Sequence, residues 1–188
     1  CAGPSARRLA AAGGMRQASL YHHFATKAAL LDALLAGTVD QPLALAAELL
    51  AESGPAAPRL HALVVQDVAQ LCLSRWNLGA LYLLPELRTD RFEQFRLRRD
   101  ELRGRYRRLA AAVIAECGGS TDADELPFRL VESVINRRSD DESCPPETPW
   151  VIADGALRVL GWSGDFAELR ARTAQRLDLA RQDATVTG

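Results

Sequence analysis

The stretch PSARRLAAAGGMRQASLYHHFATKAALL, residues 4–31, decides how the rest of the chain is read. Pro4–Ala12 has the pattern of a short helix, with Ser5 as its N-cap and Gly13-Gly14 as its stop. Met15–Phe24 has the pattern of a second short helix, and a third begins near Lys27 with Thr26 as its cap. Two short helices joined by a tight turn form the layout of a helix-turn-helix. In such a unit the second helix offers its N-terminal end to the major groove, where base edges carry a distinct pattern of donors and acceptors. Gln17 suits a base edge, Ser19 a base or a phosphate, and Ala18 a thymine methyl. Leu9, Leu20 and Phe24 supply the apolar contacts that hold the unit together.

Beyond residue 31, Leu and Ala recur at three- and four-residue spacing, while β-branched and aromatic residues seldom alternate with polar ones. That pattern predicts an all-α fold. Gly37 and Pro42 are expected to bend or interrupt the third helix before it resumes to Leu50. After the turn ESGPAA, residues 52–57, Pro58 suits a first helical position, and Leu60, Val64, Val68, Leu71 and Cys72 make an apolar stripe. Trp76–Leu84 is short and apolar. Phe92–Glu116 reads as a long helix with Phe95, Leu102, Tyr106, Leu109 and Val113 facing inward, closed by Gly118-Gly119. Further helices are expected from Asp122 to about Arg138 and from a Thr148-Pro149 start to Gly161. Asp165 and Glu168 form a capping pair for the last, which Phe166, Leu169 and Leu177 anchor.

The whole chain of 188 residues carries a net charge of −1, so any basic surface must be local. Residues 86–108 hold nine Arg against five acids, whereas residues 116–147 hold nine acids against three Arg. With Asp100 and Glu101 interleaved, the run from Arg96 to Arg108 reads as a solvated helix face with i,i+4 pairs rather than a second nucleic-acid surface. Cys1, Cys72, Cys117 and Cys144 form no CxxC pair, and in a chain this long and Leu-rich they are expected to be reduced thiols of a cytoplasmic protein. No apolar run approaches the ~18 residues of a membrane span. His22-His23 has no Cys, Asp or Glu at ligand spacing, so no metal and no cofactor is expected. An α-helical enzyme finds no nucleophile–base pair, metal spacing or phosphate loop; His61, on its helix, shows no acid partner nearby in sequence.

The literal string ASLYHHFATKAALL, residues 18–31, closely resembles the end of the DNA-binding motif of TetR-type transcriptional regulators. Tyr21, His22-His23, Phe24, Thr26, Lys27 and Leu30-Leu31 carry the likeness, and RRLAAAGGMRQ, residues 7–17, is similar to the second helix and turn. The resemblance spans residues 3–35; beyond them it is one of architecture. It implies a helix-turn-helix DNA-binding domain over residues 1–36 and a helical regulatory and dimerisation domain over 37–188. It further implies that Ser5, Arg7 and Lys27 contact phosphate, that Gln17, Ala18 and Ser19 face bases, and that Tyr21 and His22 reach the backbone or a base edge. The family's fold opens with another helix of about four turns, and only Cys1-Ala2-Gly3 precede the motif here, so a further helix before Cys1 is expected.

The resemblance also implies a homodimer on double-stranded operator DNA and a small-molecule effector. The aromatic cluster Trp76, Tyr82, Phe95 and Tyr106, with Leu71, Cys72 and Phe128, is the candidate ligand pocket, and its apolar character points to an apolar or aromatic effector. The helices at 124–137 and 149–161 are the candidate dimer face, with Gly155 and Ala156 permitting close approach and Trp150 and Trp162 anchoring the contact. The sum is a ligand-responsive DNA-binding regulator, most simply a repressor. A helical interaction module without DNA binding is the competing reading.

Overall fold

The computed structural model describes residues 27–73, 90–141 and 144–186. Among them are six α-helices: α1 Lys27–Ala51, α2 Ala56–Leu73, α3 Glu93–Cys117, α4 Leu126–Asp141, α5 Thr148–Val159 and α6 Phe166–Val186. Short 3-10 turns, Asp90–Phe92 and Thr121–Ala123, precede α3 and α4. No strand occurs among the described residues, as the helical spacing of Leu and Ala predicts.

Helix α2 is the hub. Leu60, His61, Ala62, Leu63 and Val64 are all fully buried. Five consecutive residues at about 100° each point in every direction round the axis, so α2 has no solvent face here. It packs against α1, α3, α4, α5 and α6. Its start is two residues earlier than the Pro58 start expected from sequence, because the Glu116 carboxylate of α3 accepts the Ala56 N–H at 2.9 and 3.0 Å and so caps the first turn from outside.

Helix α1 runs unbroken through Gly37 and Pro42, where local rules predict a bend or break. Pro42 removes one backbone donor, but tertiary contacts hold both sides of it. Leu35, Val39, Leu43, Ala46 and Leu49 are buried against the core. The Gln70 amide of α2 donates to the Gly37 carbonyl at 2.7 Å, and the Arg105 guanidinium of α3 donates to the Leu43 carbonyl. Arg98 of α3 pairs with Asp40 at 2.8 Å.

The two oppositely charged segments of the sequence meet as a seam between α3 and α4 with the turn just before it. Arg99 pairs with Glu132, Arg103 with Glu125 at 2.5 Å, and Arg107 with Asp124 at 3.0 Å. The Arg103 hydrogen bond holds the Glu125 carboxyl below its usual range. Leu102, Tyr106, Leu109 and Val113 of α3 are buried as the spacing predicts, whereas Phe95 is only half-buried.

Gly118 ends α3 at φ 75°, a left-handed cap whose N–H bonds the Ile114 carbonyl at 2.8 Å. At Gly119 a Cβ would stand 2.0 Å from the Leu160 carbonyl oxygen, so the end of α3 meets the end of α5 backbone to backbone. Thr148 is already the first helical residue of α5, with Glu147 rather than Thr148 at the cap. Asp165 caps α6 as expected, its Oδ1 accepting the Ala167 and Glu168 N–H groups at 2.7 and 3.1 Å.

Because Leu60 has no exposed surface, Leu60→Ala should cost about 3 kcal/mol of unfolding free energy in urea. Leu97→Ser, at a side chain 54% exposed, should stay within about 0.5 kcal/mol of the parent. Equal losses in the two variants would contradict the placement of α2 at the centre.

Candidate functional site

Of the residues expected to contact DNA, Ser5, Arg7, Gln17, Ala18, Ser19, Tyr21 and His22 lie outside the described residues, and Lys27 is the first residue of α1. Trp76 and Tyr82 of the expected pocket also lie outside them. The other members go to two places. Tyr106 and Phe128 are core residues, with ring centroids 5.4 Å apart and the Arg99 guanidinium 5.5 Å from the Phe128 centroid. Leu71 is buried, and its carbonyl accepts from Arg138 of α4. Cys72 instead lines a separate cavity.

That cavity, of about 260 Å³, lies between α2, α5, α6 and the segment leading into α5. Val65, Ala69, Trp150 and Leu177 give it apolar walls, Pro145 and Pro146 form one side, and Gln66 and Asp178 add polar groups. Beside Trp150, whose ring centroid is 6.1 Å from that of His61, lies a buried polar cluster. His61 Nδ1 is 2.8 Å from the Thr173 hydroxyl, and its Nε2 is 3.2 Å from Asp154 Oδ1.

Burial pushes the His61 pKa down against the pull of Asp154, so the ring is neutral at pH 7. The arrangement fits a proton on Nε2 donated to Asp154, with Nδ1 accepting from Thr173. Burial alone would raise the Asp154 carboxyl. Hydrogen bonds from Arg170, at 2.8 Å, and from His61 overcome it and hold the group below its ordinary value. His61 therefore has an acid partner, 93 positions away, which its local sequence does not show.

The thiol expectation is overturned for two of the four cysteines, and Cys1 lies outside the described residues. Cys72 and Cys144 form a disulfide, with Cα atoms 5.5 Å apart across a sequence separation of 72. No local spacing announces such a pair; the fold brings Cys144, four residues before α5, to the end of α2. Cys117 is free and exposed. Among the proposed dimer residues, Ala156 is buried inside its own chain and Trp150 lines the cavity, so neither projects outward as expected. Trp162 packs edge-on against Phe166 at 4.8 Å.

A second polar group of the core escapes sequence reasoning, although its signal is visible: Asp67 interrupts the apolar run LHALVVQDVAQL. It accepts the Tyr106 hydroxyl at 2.8 Å, and burial raises its pKa to about 7, opposed by that hydrogen bond and reinforced by the charge of Glu132. No group of His, Cys, Asp and Glu among the described residues is arranged to hold a metal ion, and no helix among them is long and apolar enough to cross a membrane.

Residues 3–34 match the family model described as bacterial regulatory proteins, tetR family. The chain is also similar to the protein in the crystal structure of Mycobacterium smegmatis AmtR. The two are 74% identical with a TM-score of 0.83, over 93% of this chain and 84% of that one. No curated protein matches the chain.

Asp67 makes stability pH-dependent. An acid whose folded pKa is raised contributes stability that is full below its unfolded pKa, about 3.9, and is lost as pH rises through about 7. The gap corresponds to about 4 kcal/mol. Asp67→Asn keeps an acceptor for Tyr106 and abolishes the titration. Urea unfolding of the parent should weaken by about that amount between pH 4 and 8 relative to the variant. Parallel pH profiles would refute the assignment.

Proposed function

Because this chain belongs to the TetR family of bacterial regulatory proteins, we propose that it works as a dimeric repressor released from its operator by a small apolar or aromatic effector. It is a DNA-binding transcriptional regulator. Regulators of this family bind operator DNA, act as dimers and are generally not enzymes. The observation that carries the reading is the match of residues 3–34 to the family's model, within a chain 74% identical to one solved member.

In this reading Gln17, Ala18 and Ser19 contact bases, Tyr21 and His22 the backbone or a base edge, and Ser5, Arg7 and Lys27 phosphates. Residues 1–36 form the DNA-binding domain and 37–188 the regulatory domain. The dimer forms through α4 and α5. Leu126, Val151 and Val159 support this, being 43, 56 and 42% exposed, and Val151, Gly155 and Val159 recur every four residues on one side of α5. The cavity beside Trp150, mostly apolar, supports an effector of apolar or aromatic character. The protein works in the cytoplasm, where its DNA is.

Gel retardation on DNA from upstream of the protein's own gene tests the site. Lys27→Ala should weaken binding to all sequences alike and lower the salt slope by about 1, the loss of one phosphate contact. Gln17→Ala should cost about 1–3 kcal/mol at one base position and relax preference there. Unchanged retardation by both variants would sink the assignment.

A further inference from the structure

We propose that the Cys72–Cys144 disulfide is a thiol-exchange site, through which a low-molecular-weight thiol sets the affinity of the protein for DNA. The inference rests on the DNA-binding reading above. Both cysteines lie in the wall of the cavity of about 260 Å³, beside Pro145, Pro146 and Trp150, so a small organic thiol has a space from which to approach the sulfur atoms. A regulator of transcription works in the compartment of its DNA. There thiol pools keep most cysteines reduced, and disulfides that do form are usually transient or sensing. The chain already has an extended apolar core around α2, so it has no need of a covalent staple of the kind small secreted domains require.

The exchange balances without any other reactant. The small thiolate attacks one sulfur, the Cys72–Cys144 bond breaks, and the departing cysteine leaves as a thiolate that takes up a proton. A second small thiol attacks the mixed disulfide and releases the other cysteine. Two cysteine thiols are formed, and two small thiols are oxidised to their own disulfide. Cys117 has no such partner; its thiol donates to the Leu160 carbonyl at 3.3 Å, away from the cavity.

Coupling to DNA follows from three consecutive residues at the end of α2. The Gln70 amide holds the Gly37 carbonyl of α1, the Leu71 carbonyl is held by Arg138 of α4, and Cys72 is bonded to the segment before α5. Opening the third tether changes the support of the first two. The first bears on α1, whose opening residue, Lys27, is itself one of the proposed phosphate contacts.

The test compares protein oxidised with diamide and protein reduced with glutathione. Peptide mapping without reductant follows Cys72 and Cys144, and gel retardation on the upstream DNA follows affinity. The expected result is a linked Cys72–Cys144 peptide only in the oxidised sample and a difference in DNA affinity of about fivefold or more, the usual scale of coupling between sites. Cys144→Ser should hold the reduced-form affinity under both treatments, and Cys117→Ser should still switch. A Cys72–Cys144 link absent after oxidation, or equal affinity of the oxidised and reduced forms, overturns the inference while leaving DNA binding intact. Retardation in neither state removes the operator reading and the exchange site with it.

Discussion

The enclosure of α2 is the constraint from which the other arrangements follow. On a helix surrounded on all sides, a fully buried polar side chain left unpaired costs about 1–3 kcal/mol. His61 and Asp67 are both on α2 and both buried. Their partners come from different neighbours: Tyr106 from α3, Asp154 from α5 and Thr173 from α6. Apolar packing alone tolerates sliding of one helix along another, because Leu against Leu is nearly as good one turn further on. Directional bonds at two heights on α2 do not, so these polar residues fix the register of three helices.

What was legible in the sequence was local or strongly patterned. Leu102, Tyr106, Leu109 and Val113 announce the buried side of α3 by spacing alone, and Gly118-Gly119 its end. The charge contrast between residues 86–108 and 116–147 was visible as well, although its use as a seam of Arg–Glu and Arg–Asp pairs between α3 and α4 needed the fold. The DNA-binding reading came from a literal string, residues 18–31, whose residue types recur in a known motif.

The remainder was hidden because it depends on distance in space. The bond between Cys72 and Cys144 spans 72 positions, and that between His61 and Asp154 spans 93. Nothing near either residue specifies the other. The expected break of α1 at Pro42 failed for a related reason: a local rule favoured it, and tertiary contacts such as the bonds from Gln70 and Arg105 outweighed that rule. The expected pocket was a single aromatic cluster by composition. In the fold, Tyr106 and Phe128 are core, while Cys72 faces a cavity walled by Trp150, a residue assigned from sequence to a dimer contact.

The length of α1 has a mechanical consequence. From Pro42 to Lys27 is 15 residues, or about 22 Å of rigid rod at 1.5 Å per residue. The bonds from Gln70 and Arg105 grip the rod at Gly37 and Leu43, toward its middle, and so act as a fulcrum. A rotation of about 5° there sweeps the Lys27 end through about 2 Å. The lever is long enough that a tilt too small to disturb the packing around α2 would still be felt as an ångström-scale shift at Lys27.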